Sequence, residues 1–347
     1  MIIPGHLRRR ISPALSALVS SLKFTVLALT FLVAAHAGGQ TCLSAGDIND
    51  STRNALTEAA RRYFDMAARG DSASLRQNAI ARVASDFSGI ESAVKENQAA
   101  LAASQPSVRP PYLLKVDGTA TLERAEFLCG VFGANGQTAN SAVFMIPNLA
   151  PGNYGVLILD VPSLEGPRAV TFVLQQQNSA WKLAGFNVKQ TEVGGHDGNW
   201  FAARAREFKA RNQLHNAWFY FLEARDLLVP VAFMSTLATD KIYDEAQSIK
   251  PNDLPDAGDV VLTAGGKTYK LITIAPLVVG KDFDVLVTFH SPDISDTAKA
   301  FQDDTAVMKA LVAKYPEFRT GFSGVVARAV DPSGKDYGAL LPMKEIK

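Results

Sequence analysis

The side chains of this 347-residue chain that could do chemistry are few and scattered. Beyond residue 37 the histidines are His196, His215 and His290. Three imidazoles are enough for a zinc site, but metal-binding histidines usually show a local spacing such as His-x-x-x-His, which is absent. They read as solvated or hydrogen-bonded side chains, and no metal or other cofactor is assigned. Asp293, Asp296, Asp303 and Asp304 cluster around the start of an expected C-terminal helix. Calcium loops alternate their oxygen ligands around an essential glycine, and no such loop occurs. Asp293 and Asp296 instead suit a helix N-terminus, where the dipole favours negative charge. There is no Gly-x-Ser-x-Gly elbow, no His-Glu-x-x-His and no phosphate loop. Gly321-Phe322-Ser323-Gly324 precedes an expected strand instead of following one, so it is not a nucleophile elbow.

The densest aromatic stretch is His196–Phe221, with Trp200, Phe201, Phe208, Trp218, Phe219, Tyr220 and Phe221. Four consecutive aromatics on one helix point all round it and cannot share one core face. Either the helix is buried between two domains, or one face is a recognition surface rich in Trp and Tyr. On the second alternative, Trp200, Trp218 and Tyr220 are the candidate ligand contacts.

The elements that must position these residues follow from periodicity. Residues 51–103 read as helical. Leu56, Ala59, Tyr63, Phe64 and Ala67 make one core-facing stripe, closed by Gly70. A second stripe runs through Leu75, Ala79, Val83 and Phe87, and a third through Ile90, Val94 and Leu101. The prolines within Ser104–Pro111 break the helix. Strand-like runs follow at Ala142–Ile146, Tyr154–Val161, Val170–Leu174 and Trp181–Val188, bounded by turn residues such as Pro151-Gly152-Asn153. Helices followed by an antiparallel meander predict an α+β domain with its helices on one sheet face.

The segment Tyr63-Phe64-Asp65-Met66-Ala67-Ala68-Arg69-Gly70-Asp71 resembles the end of the first helix in the NTF2-like (cystatin-like, cone-shaped) superfamily. Ala169–Leu174 and Ala180–Phe186 resemble that superfamily's last two strands. The resemblance covers about residues 45–190 and implies helices packed on a curved antiparallel sheet; residues 112–137 have no clean counterpart in it. Enzymes of this kind place an acid–base residue inside the cone, which implies Tyr63 or Asp65 as catalytic candidates. Tyr63 also lies on the apolar stripe, where a core tyrosine with a satisfied hydroxyl is the alternative. Phe144–Tyr154 is similar to the Pro-Gly-x-Tyr turn of prealbumin-like sandwiches, a fold that three consecutive helices do not suit. Further on, Phe208, Ala217, Phe221, Ala224 and Pro230 resemble one degenerate tetratricopeptide helix pair without a second copy. A lone pair of this kind is expected to pack as a hairpin on the first domain. Lys250–Gly258 reads as a linker. Beyond it, strands at Val260–Thr263, Thr268–Ile274, Phe283–Phe289, Val325–Val330 and Tyr337–Pro342 surround a helix over about 296–314.

The first 37 residues carry an address. Arg8-Arg9-Arg10 and Lys23 flank the apolar run Phe24–Ala35, which ends in Ala35-His36-Ala37, the pattern of a secretory signal peptide cleaved near Ala37. The alternative is retention of Ile11–Ala37 as a membrane anchor. Cleavage removes four of 35 basic and none of 34 acidic residues, leaving 31 against 34, a net charge of about −3. That balance gives no electrostatic footprint for nucleic acid or for anionic lipid. Cys42 and Cys129 are an even pair in an exported chain and are most simply a disulfide, with two buried free thiols as the alternative.

The expected fold is α+β. A signal peptide over 1–37 is followed by an NTF2-like domain over 38–195 and a tetratricopeptide-like hairpin over 196–249. A linker over 250–258 then leads to a second, smaller α+β domain over 259–347. The expected function is an exported, non-catalytic module that binds or scaffolds a small molecule or a protein. The alternative is an isomerase- or cyclase-like enzyme that uses the cone as its active site.

Overall fold

The computed structural model describes residues 39–102 and 104–347, so the expected signal peptide over 1–37 lies outside the described residues. The chain enters through strand β1 (Gln40–Leu43) and helix α1 (Asp50–Ala68). Asn49 caps α1 by accepting from the Thr52 amide at 2.8 Å. Leu56, Ala59, Tyr63, Phe64 and Ala67 are all buried, as their helical spacing requires. The second stripe does not form one helix. It divides into α2 (Ser72–Gln77) and α3 (Ala81–Ser85), because the backbone between them pairs with a strand. Leu183 donates its amide to the Asn78 carbonyl and accepts from the Ile80 amide, both at 2.9 Å. Helix α4 (Ser88–Ala102) completes the layer.

Strands β2 (Ser107–Val108), β3 (Tyr112–Val116), β4 (Leu122–Gly133), β5 (Gly136–Leu149), β6 (Gly152–Val161), β7 (Arg168–Gln177) and β8 (Ala180–Gln190) follow. The short hairpin β9 (Glu192–Val193) and β10 (His196–Asp197) leads into α5 (Gly198–Ala210) and α6 (Leu214–Leu228). Next come β11 (Met234–Thr236) and α7 (Leu237–Gln247). An antiparallel sheet runs β1-β3-β6-β7-β8, with β2 also paired to β6, and a second sheet runs β11-β5-β4. The stretch 112–137, which the resemblance leaves unmatched, supplies β3 and β4.

Side-chain alternation along β6 separates two cores. Leu157, Leu159 and Val161 meet the helices, whereas Tyr154, Val156 and Ile158 meet the second sheet. The result is three layers: helices, six-stranded sheet and three-stranded sheet. Cys42 of β1 and Cys129 of β4 form a disulfide with their Cα atoms 5.1 Å apart, tying the two sheets together.

The C-terminal sheet contains β12 (Val261–Ala264), β13 (Lys267–Val279), β14 (Asp282–His290), β15 (Gly324–Val330) and β16 (Asp336–Pro342), in that order. Helix α8 (Thr297–Lys314) and the short α9 (Phe318–Gly321) connect β14 to β15, the one parallel pair in this sheet. Asp296 caps α8 through the Ala298 and Lys299 amides, and Asp293 holds the Ser295 turn.

Two expectations need correction. The hairpin over 196–249 is expected to pack on the first domain; β11 within it does pair with β5, but Phe201, Phe208, Tyr220 and Phe221 of α5 and α6 share a core with Phe283 and Val325 of the C-terminal sheet. The hairpin's link to the first sheet includes polar contacts, with Thr171 and Asn187 donating to the Pro230 carbonyl at 3.4 and 3.3 Å and Lys189 pairing with Asp226 at 2.8 Å, followed by the apolar Val231 and Met234 against Val156 and Ile158. The linker residues are docked as well, with Leu254 buried in that core and the Tyr315 hydroxyl donating to the Asp253 carbonyl at 2.9 Å. The described residues accordingly form one compact unit. No helix among the described residues is long and apolar enough to cross a membrane.

Candidate functional site

A cavity of about 470 Å³ opens between the two sheets of the first part, beside the turn from β5 to β6. Three local irregularities make it. The pairing of β7 with β8 shifts between Val173–Gly185 and Leu174–Leu183, so Ala184 is the extra residue of a β-bulge and the sheet bends there. The break between α2 and α3 sets Ile80 and Arg82 at the same rim, because Ile80 is held by Leu183. Just before the turn, near the end of β5, Asn148 sits at φ 52°, a left-handed conformation that Asn tolerates better than most residues. Phe233 closes the opposite wall, fixed by the Met145 amide donating to its carbonyl at 2.9 Å.

The walls are mainly apolar, with Ile146, Leu149, Val173 and Phe233 among them. The buried polar group is Tyr154, whose hydroxyl donates to the Ala150 carbonyl at 2.9 Å and accepts from the Gln175 amide at 3.0 Å. Burial raises the Tyr154 pKa, with the nearby Arg82 charge and the Gln175 hydrogen bond opposing, so the phenol stays protonated at neutral pH. Among the described residues, Arg82 is the one charged side chain lining the cavity, and no acidic residue lines it. Space of this size, walled by apolar groups with a few polar ones, is what small-molecule sites generally offer.

The expected site residues lie elsewhere. Tyr63 is buried between helix α1 and the sheet, and its hydroxyl lies 2.9 Å from the Trp181 carbonyl and 3.0 Å from that of Asn78. Asp65, two residues on, is exposed on the outer side of α1. The space between helices and sheet is filled by Leu157, Phe172, Leu174 and Leu183 around Tyr63. Trp200 and Tyr220 do converge, lining a separate, shallower cavity of about 310 Å³ with His196 and Phe283. Trp200 is 38% exposed and stacks on the His196 ring at 3.7 Å, while Tyr220 is 7% exposed. Trp218, also 7% exposed, faces another side of α6 under the Lys250 ammonium. The four consecutive aromatics are therefore all buried, the first of the two alternatives for that helix.

Arg82, Tyr154 and Gln175 escaped sequence reasoning because the short helix α3 that carries Arg82 lies far in the chain from the strand pair β6–β7 that carries the other two. One signal was available: Gly185 inside the strand run Trp181–Val188, since an isolated strand glycine often marks a bulge.

Nothing matches the chain in comparisons with protein-family models, curated proteins and solved structures.

Proposed function

We propose that this is an exported, non-catalytic binding protein that holds a small molecule in the cavity between its two sheets. The observation that carries the reading is the cavity itself: about 470 Å³ of mainly apolar space, separate from the packed core under the helices. Its ionisable side chains are Arg82 and Tyr154, the second already engaged with Ala150 and Gln175. A catalytic use of the space would need a proton-transfer pair, and these two groups supply none at neutral pH. Helices on one face of an antiparallel sheet support the NTF2-like resemblance for the first part, with its pocket moved to the opposite sheet face. The disulfide Cys42–Cys129 supports export, since such bonds persist in oxidising compartments.

Native mass spectrometry of the secreted protein tests this reading. It should show a chain beginning near Gly38, with a small molecule retained or taken up from a ligand library. Ala184→Trp, which fills the cavity from the bulge, should abolish that binding. Uptake that Ala184→Trp leaves unchanged would overturn the assignment.

A further inference from the structure

We infer that the ligand of the inter-sheet cavity is an apolar anion, with a hydrocarbon body between the sheets and a carboxylate-like head at Arg82; this rests on the cavity being the binding site. Three observations converge on that class. First, the deep walls, Ile146, Leu149, Val173 and Phe233, offer an apolar body contact without hydrogen-bond demands. Second, the charge at the rim is of one sign. Among the described residues, Arg82 lines the cavity, no Asp or Glu does, and Arg82 makes neither an ion pair nor a side-chain hydrogen bond. That sets it apart from arginines such as Arg109 and Arg206, whose guanidinium groups fork onto Asp160 and Glu245 at 2.6–3.1 Å. A guanidinium offers a planar fork of donors that matches a carboxylate. Third, the remaining rim groups can donate to an anion: the Gln177 amide and the Thr121 hydroxyl line the same opening.

The geometry also disfavours the other head groups. A cationic head would meet Arg82 with no compensating carboxylate in the lining. A neutral alcohol would leave the guanidinium without a charged partner and gain only an ordinary hydrogen bond. The buried Tyr154 hydroxyl does not compete for the head group, because its proton is committed to the Ala150 carbonyl.

Isothermal titration of the purified protein with decanoate, decan-1-ol and decyltrimethylammonium tests the inference. Decanoate should bind saturably, and at least about tenfold more tightly than the other two, the ratio expected of a charge-assisted hydrogen bond over a neutral one. Arg82→Gln should weaken decanoate by about tenfold and leave decan-1-ol unchanged, and Arg82→Lys should recover part of the loss. Equal affinity for decanoate and decan-1-ol, or a preference for the cation, overturns the anion assignment while the cavity remains the site. Decanoate binding that survives both Ala184→Trp and Ala81→Trp, the latter at the exposed rim, overturns the cavity reading itself. Far-UV circular dichroism and thermal unfolding of each variant show which of the two blocking substitutions folds and can be scored.

Discussion

Glu317 meets His215 twice through one oxygen: Oε1 lies 2.7 Å from the ring Nδ1 and 2.9 Å from the His215 amide. The other ring nitrogen, Nε2, lies 2.7 Å from Asp253 Oδ1. With a carboxylate on each side both ring nitrogens donate, so the imidazole is held as the cation. The contact joins the start of α6 to α9 and to the docked connection around Asp253, a polar tie beside the apolar core that the hairpin shares with the C-terminal sheet.

Stability should depend on this contact below neutral pH. Burial alone disfavours the imidazolium, but the hydrogen bonds and charges of Glu317 and Asp253 outweigh it and raise the His215 pKa above its ordinary 6.5. A raised folded-state pKa gives stabilisation that is full below about pH 6.5 and is lost as pH rises through the folded value. His215→Gln should cost about 1–2 kcal/mol at pH 6 and clearly less at pH 9, measured by urea unfolding. Equal losses at both pH values would mean that the imidazolium plays no part.

A second pH effect comes from carboxylates buried without a partner. Asp304 on α8 is fully buried, and neither of its oxygens has a hydrogen bond of good geometry. Burial, with Asp303 adding and the Ala339 backbone opposing, pushes it up to about 7. The folded state then holds a proton that the unfolded chain has released, so stability falls between about pH 4 and pH 7 and levels off above. Asp304→Asn should flatten that slope and stabilise the protein at pH 8 by about 1–3 kcal/mol. Glu223, pushed to about 7 by burial and by Asp226, acts in the same direction, so part of the slope should survive in the single variant.

The disulfide closes a loop with a sequence separation of 87 residues. In the chain-entropy account its removal costs about 4–5 kcal/mol. Cys42→Ser with Cys129→Ser should lower the urea midpoint accordingly, and reductant should then have no further effect.

Tyr63→Phe separates a structural tyrosine from a working one. Losing the hydroxyl that joins α1 to the Trp181 and Asn78 carbonyls should cost about 1–2 kcal/mol in unfolding. Decanoate affinity should not move, because the residue lies on the helix side of the sheet. A change in binding with unchanged stability would return Tyr63 to the functional candidates.

Much of the secondary structure was readable because burial in each element follows one period. Leu56 to Ala67 kept the helical rhythm, and Phe283–Phe289 stood out as a strand between turns. The break between α2 and α3 was not readable: Leu75, Ala79, Val83 and Phe87 keep a helical spacing, but Leu183, about a hundred residues later, takes the backbone groups of Asn78 and Ile80. The aromatic run 218–221 left two alternatives, burial between domains or a recognition face, and burial is the one found. That its partner is the C-terminal sheet depended on Phe283 and Phe322, whose strand and loop lie far along the chain.

By itself the sequence determined the helical stripe from Leu56 to Ala67, the helix that begins near Asp296, and strand runs such as Tyr154–Val161. Only the tertiary structure decided what covers each face: helices over Leu157 and Leu159, a second sheet over Val156 and Ile158. It also decided that the open space lies on the second side, with Arg82 at its rim. The physical reason is that periodicity records how many faces a strand buries, while hydrophobic burial has no direction and accepts any apolar partner. The choice of partner, and the gap left where a bulge at Ala184 bends one sheet, arises only when the layers close on one another.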